Sequence, residues 1–335
     1  MRRLICIVVF FTGMCFNCSE ALTQSDRPFL SHLTTNEGLS FNTVLAIHQD
    51  ERGFMYFQTW KGIDRYDGIE FHNYRCIPER YQQIGNYFVE DSLGNLWYGY
   101  TLARYNKAEE SHRLFMVSSH GEQTGIGGIW STLLGPDHLL YLHSYEDIIT
   151  LDPYSAEPTI DTLFSLESIH PFKRITKIQF DMDDRLWMAT DEGLFRYQRS
   201  MDTIFRFDSL EYPANRYIHD FMFDLDGNLW YAFSHDLIKY DFQQGTSMIY
   251  QLSGLDQTVF KKVYQTGDGT IWLGTVEKGL YYLEPGQDRF KCLMDYSNIS
   301  AIYEDRSHRL WIGTENAGIF LYDSLQNFFR QLPIK

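Results

Sequence analysis

The chain has 335 residues, of which 16% are aromatic and 22% charged, with a formal net charge of -15. So many Phe, Tyr and Trp exclude a disordered chain, and only five Cys exclude a disulfide-stapled mini-protein. The acidic balance, with no basic run beyond Arg2-Arg3, excludes a general nucleic-acid binder, which needs clustered Lys and Arg to neutralise phosphates.

The amino terminus reads as a targeting segment. Arg2 and Arg3 precede an apolar stretch from Leu4 to Phe16, and Ser19-Glu20-Ala21 offers small residues at cleavage spacing. The expected organisation is a signal peptide over 1–21, followed by one domain over 22–335 exported to the periplasm. Two alternatives are a lipoprotein modified at Cys18 and a retained membrane anchor. No later stretch is apolar for long enough to span a membrane as a helix. The remaining cysteines, Cys76 and Cys292, form no recognisable framework, and whether they pair stays open.

From there the chain repeats. An aromatic residue recurs at Tyr56, Trp97, Tyr141, Trp187, Trp230, Trp272 and Trp311, with spacings of 41, 44, 46, 43, 42 and 39. Seven anchors at a period near 40 predict a seven-bladed β-propeller of four-stranded antiparallel blades, an all-β fold. Before each anchor an alternating strand (A) runs into a tight turn. Asp stands six residues ahead at Asp50, Asp91, Asp181, Asp224 and Asp305, with Gly135 and Thr266 as exceptions. Gly stands three ahead at Gly53, Gly94, Gly227 and Gly269, replaced elsewhere by His138, Asp184 and His308. Asp caps the turn and Gly supplies positive φ. The anchor strand (B) is followed by a Gly-Leu/Ile…Tyr strand (C) and a further strand (D), near Phe71–Tyr74, Phe115, Phe205, Ile249 and Phe290. The anchors are read as wedges between blades. Small residues two positions later (Gly99, Ala189, Ala232, Gly274, Gly313) let neighbouring blades approach closely. Repeat 3 is degenerate, with Leu134-Gly135-Pro136-Asp137-His138 in place of the Asp-x-x-Gly turn and His143 where other repeats have Gly or Ala.

These repeats resemble those of the two-component-regulator propeller family. The clearest is Ile299 to Tyr322, I-S-A-I-Y-E-D-R-S-H-R-L-W-I-G-T-E-N-A-G-I-F-L-Y, and Leu33 to Val44 resembles that family's entry into its first blade. The resemblance spans about residues 29–332. It implies the periplasmic sensor region of hybrid two-component systems of gut Bacteroidetes, where two propellers precede a β-sandwich, a membrane helix and a histidine kinase, and where oligosaccharides are sensed. These 335 residues carry none of those later parts, so a truncated or split receptor is expected. A strand count agrees. D-type segments occur at both ends, Phe29–Leu33 and Phe328–Leu332, and the amino-terminal one is expected to close blade 7.

In this meander the A–B and C–D turns share one face, and the B–C and D–A loops share the other. The D–A segments (75–86, 116–127, 155–174, 206–217, 250–261) are long and varied, and loops of that kind on a rigid scaffold bind ligands. The candidate ligand-binding residues on that face are Trp60, Lys61, Tyr100, His143, Tyr145, Glu192, His235, Lys278 and Glu315. Trp60 is a Trp outside the anchor series, and Trp and Tyr suit stacking on a sugar. Trp130 reads as core or channel lining. No nucleophile elbow, His-Glu-x-x-His or phosphate loop occurs, and Asp224–Asn228 reads as a turn and not as a calcium loop. The expectation is a non-catalytic sensor with no catalytic residues, metal or cofactor. Its expected partners are an oligosaccharide and either a second copy of the chain or a separate sensor kinase. The alternatives are a propeller enzyme of the streptogramin-lyase kind and a protein-binding scaffold.

Overall fold

The computed structural model describes residues 30–74, 87–99, 102–115, 129–144, 147–155, 160–165, 174–198, 201, 203–207, 217–252, 255, 258–295 and 297–324. Segment 1–21, Cys76 and Phe328–Leu332 lie outside them. Seven four-stranded antiparallel sheets follow one another, and among the described residues only Ser324 is α-helical. Blade 1 is Val44–Gln49, Met55–Thr59, Gly62–Tyr66 and Phe71–Tyr74, and blade 2 is Phe88–Glu90, Leu96–Tyr98, Ala103–Asn106 and Ser111–Leu114. Blade 3 is Ser131–Leu134, Leu140–His143, Asp147–Leu151 and Ile160–Ser165, and blade 4 is Ile175–Phe180, Leu186–Thr190, Gly193–Gln198 and Thr203–Arg206. Blade 5 is Ile218–Phe223, Leu229–Phe233, Asp236–Asp241 and Thr246–Gln251, and blade 6 is Phe260–Gln265, Ile271–Thr275, Leu280–Leu283 and Lys291–Met294. Blade 7 takes three strands, Ile299–Glu304, Leu310–Thr314 and Ile319–Tyr322, from the end of the chain.

Its fourth strand comes from the start. Leu30–Leu33 pairs antiparallel with Ile319–Tyr322, in register from Leu30 opposite Tyr322 to Leu33 opposite Ile319. The ring therefore closes by hydrogen bonding the first strand to the last repeat, as the strand count predicts. His32 stacks on Phe320 with ring centroids 4.2 Å apart. The chain then enters blade 1 through a capped turn, in which Thr34 and Glu37 form a capping box and Gly38 takes a left-handed backbone.

One strand departs from expectation. Ile160–Ser165 closes blade 3 from within 155–174, which reads as a D–A loop in sequence. The pairing is irregular at Ile148/Ile149, so the alternation that marks a strand is broken there.

The anchors pack as wedges. Trp97 lies with Ile129, Leu140 and Leu142 of blade 3, Trp187 with Phe221 and Tyr231 of blade 5, and Trp311 with Val44 and Phe57 of blade 1. The Asp six residues ahead does more than cap its turn. Asp91, Asp181, Asp224 and Asp305 each accept the indole N–H of their own anchor, at 2.9, 2.7, 2.8 and 2.8 Å. In blade 6 the Thr266 hydroxyl replaces the carboxylate at 3.1 Å, and in degenerate blade 3 the Tyr141 hydroxyl donates to Asp137 at 2.8 Å. Gly135 is forced there, because a Cβ would stand 2.4 Å from the Tyr141 ring. Where the turn lacks Gly, His138, Asp184 and His308 adopt φ of 64°, 59° and 59° in its place. The small residue two past the anchor is also explained: a Cβ on Gly274 would meet Ile299 of the next blade at 2.7 Å.

One buried and one half-buried imidazole, His143 and His112, make the fold acid-sensitive. Burial pushes His143 and His112 down to about 4, with the Ile175 carbonyl partly offsetting this at His143. Unfolded imidazoles take up protons near pH 6.5, so stability is complete above that value and falls as pH drops from 6.5 towards 4. The fully buried His143 is expected to contribute about 3 kcal/mol to that loss. His143→Gln should flatten the pH dependence of the melting temperature between pH 6.5 and 4.5, and an unchanged slope would refute the assignment.

Candidate functional site

The innermost strands ring the central channel and begin irregularly. In blades 1, 4, 5, 6 and 7 one extra residue is bulged at the second position of strand A: Leu45, Thr176, His219, Lys261 and Ser300. A bulge re-aims a side chain and commonly lies next to a site. Two of these residues tie blades together, with Thr176 Oγ1 donating to the Ile218 carbonyl at 2.7 Å and Ser300 Oγ donating to the Val44 carbonyl. Described blade 3 has no such bulge, and there His143 Nε2 meets the Ile175 carbonyl at 3.2 Å. His143, on strand B, thus reaches the carbonyl of the next blade that the strand-A hydroxyls reach elsewhere.

The bulged residues of blades 1, 6 and 7 face a groove of about 390 Å³ at the channel mouth, lined by Phe41, Thr43, Leu45, Trp60, Lys261, Ser300, Glu315 and Asn316. Its apolar wall is an aromatic pair. Phe41 and Trp60 lie nearly parallel, 22° apart with centroids at 6.4 Å, and are 37% and 48% exposed. Lys61 Nζ sits 5.5 Å from the Phe41 centroid, a cation–π contact. The opposite wall is polar. Glu315 accepts hydrogen bonds from Lys261 Nζ and, at 2.9 Å, from Asn298 Nδ2. Burial alone would raise the Glu315 carboxyl, but these two donors outweigh it and hold the group below its ordinary range. Glu315 is therefore a fixed charged acceptor and is not poised to deliver a proton.

One register deeper, the channel wall of blades 4, 5 and 6 is charged. Lys177, Asp220 and Lys262 hold equivalent positions, opposite Ala189, Ala232 and Gly274. Lys177 Nζ reaches Asp220 Oδ1 at 2.7 Å and the Phe221 carbonyl at 2.6 Å. Asp220 also accepts the backbone N–H of Phe221 at 2.9 Å and of Val263 at 3.0 Å. Burial pulls the Lys262 ammonium below the usual lysine range, Asp220 counters it, and Lys177 and Lys261 add to it. His219, its ring tilted 56° to that of Tyr217 with centroids 4.7 Å apart, is likewise lowered by burial.

Against known proteins, residues 293–316 match the family model "Two component regulator propeller". That stretch of the chain is similar to a two component regulator propeller repeat. It contains strand A of blade 7, the Asp305 turn, the Trp311 anchor and the groove residue Glu315. No curated protein matches the chain. Among solved structures, the extracellular domain of the B. thetaiotaomicron hybrid two component system BT3049 superimposes with a TM-score of 0.72 at 20% identity, over 88% of this chain and 42% of that one. The extracellular domain of BT4673 from B. thetaiotaomicron gives 0.70 at 20% identity, over 89% and 40%. The virginiamycin B lyase of Staphylococcus aureus gives 0.67 at 13% identity, over 88% and 99%. At such identities the likeness is one of fold. The chain spans about two fifths of the length of the first two relatives.

Around the regulator propeller repeat the structure gathers three of the sequence candidates, Trp60, Lys61 and Glu315. Glu192, His235 and Lys278 occupy the B–C turns of blades 4, 5 and 6, on the same face but outside the groove lining. Tyr100, Tyr145 and the D–A segments 75–86 and 116–127 lie outside the described residues, as do parts of the other three D–A segments. Trp130 is half-buried at the entrance to blade 3, its backbone N–H donating to the His143 carbonyl at 3.0 Å. Cys292 is exposed on strand D of blade 6. Asp224 is a turn residue as expected, its carboxylate occupied by Asn228 and Trp230. On the opposite face Asp67, Glu70 and His72 bring potential metal-ligating atoms within 4.8 Å of one another at the surface of the C–D turn of blade 1. Asp67 there accepts the turn's own Ile69 and Glu70 N–H groups.

Sequence reasoning missed Phe41, Lys261, Asn298 and the Lys177–Asp220–Lys262 row. Their signal is charge in an innermost strand that should alternate: Lys261-Lys262 and His219-Asp220 each put two polar residues side by side there.

Proposed function

We propose that this chain acts as the extracellular, periplasm-facing ligand-binding propeller of a hybrid two component sensor, and that its groove takes an oligosaccharide without transforming it. The observation that carries this reading is the half-exposed Phe41–Trp60 pair facing the Lys261–Glu315–Asn298 wall. An aromatic face offers stacking to the apolar side of a sugar ring, and a fixed array of donors and acceptors reads hydroxyls. The titratable groups of the groove are committed to one another, which favours binding over acid–base chemistry. Trp60→Ala is expected to weaken oligosaccharide binding about tenfold or more, as truncation of a central aromatic does. Glu192→Ala, on the far rim, should leave binding intact. Titration calorimetry against an oligosaccharide panel decides it: unchanged affinity in Trp60→Ala sinks the site, and ligand turnover sinks the non-catalytic assignment.

A further inference from the structure

We propose that the channel mouth receives an oxyanion, the carboxylate or sulfate of an acidic ligand, at Lys262. The inference rests on the groove of the preceding section being the ligand's site and adds the chemical class of that ligand.

Asp220 is already engaged by three donors: one oxygen takes Lys177 and the Phe221 N–H, the other takes the Val263 N–H. Lys177 is satisfied by Asp220 and by the Phe221 carbonyl. Lys261 is held by Glu315. Lys262 is attracted by Asp220, yet among the described residues no acceptor hydrogen-bonds its ammonium. Three lysines thus face two carboxylates, and the surplus positive charge is that of Lys262. An ammonium has three donors and no acceptor, so the group that completes it is an anion or a strong acceptor.

The surroundings leave room for one. At the register position of Lys262, blades 7 and 1 carry only Ala301 and Ala46. The charged positions of blades 4, 5 and 6 are thus followed around the ring by methyl groups in blades 7 and 1. Lys261, the neighbour of Lys262 across the bulge, lines the groove itself, so Lys262 lies one residue from the groove lining. A saccharide stacked on Phe41 and Trp60 would carry its acid group inward towards Lys262.

The test uses the full chain in thermal-shift titrations at constant ionic strength, with sodium glucuronate, methyl glucoside, sodium sulfate and sodium chloride as probes. Glucuronate or sulfate is expected to raise the melting temperature saturably, methyl glucoside much less and chloride not at all. Glucuronate against sulfate tells a carboxylate from a sulfate ligand. Lys262→Gln should weaken the anion response roughly tenfold, the worth of one charge-assisted hydrogen bond. Lys262→Arg, which keeps the charge, should retain it. A wild-type chain indifferent to both oxyanions overturns the proposal, and so does a Lys262→Gln variant that responds like wild type. Neutral oligosaccharides binding as tightly as acidic ones would overturn it and leave the sensor reading standing. An oxyanion response that needs Lys262, without any saccharide preference, would uphold the anion site and defeat the oligosaccharide reading.

Discussion

Asp305→Ala is expected to cost about 3–5 kcal/mol of stability. The carboxylate is 2% exposed and accepts four hydrogen bonds: the backbone N–H groups of Ser307 and Arg309, the Arg309 guanidinium, and the indole of Trp311, all between 2.8 and 3.0 Å. Alanine leaves the turn uncapped and strands a buried indole N–H between blades 7 and 1. Thr266→Ala, the same position in blade 6, removes a neutral acceptor that serves Trp272 at 3.1 Å, and is expected to cost about 1 kcal/mol. Chemical denaturation of both variants checks the contrast. Equal losses would show that the charge on the latch contributes nothing.

Gly318→Val is expected to open the ring. Gly318 stands at φ +77°, and a Cβ there would lie 2.4 Å from the Leu33 carbonyl oxygen, against the backbone that leads out of the closing strand. Its N–H also donates to the Asn42 carbonyl at 2.8 Å. Left-handed strain and a backbone clash combine, and a loss of about 3 kcal/mol or more follows. Because the first strand joins only the last blade, the loss should be local at first. Amide exchange should rise sharply over Leu30–Leu33 and Ile319–Tyr322 and stay slow in blades 4 and 5. Retained protection of Ile319–Tyr322 would mean that Leu30–Leu33 is not what holds the last blade.

Both results concern features written in the repeat, and this bears on how much of the molecule is legible from its residues. The anchors, the Asp turns, the small residues after the anchor and the surplus amino-terminal strand all recur at fixed offsets. Each offset has one physical reading: a wedge, a cap, a close approach, an edge that must be covered. The strand Ile160–Ser165 escaped because an irregular pairing spoils the two-residue period. For the site, Trp60 and Glu315 stood out as polar or aromatic residues in short turns. Phe41 did not, since it looks like ordinary loop-to-strand sequence, and Lys261 is marked only by the Lys261-Lys262 doublet in a strand that should alternate.

What the amino-acid sequence determined by itself is therefore the periodic part: seven blades, their turn chemistry, their wedges and the way the ring closes. These depend on contacts a few residues apart or on the same contact repeated in every blade, so pattern alone reveals them. What only the tertiary structure decided is which rim residues meet. Phe41 and Trp60 of blade 1, Lys261 of blade 6 and Glu315 of blade 7 share one groove because ring closure sets blade 7 beside blade 1. The bulges then decide which innermost side chains turn towards the mouth. Closure joins residues more than 250 positions apart, and a bulge shifts a strand by one residue without changing its composition. The surplus strand marks that the ring closes but not which rim side chains closure brings together, and a bulge leaves no periodic mark; both outcomes follow from how the blades pack around the axis.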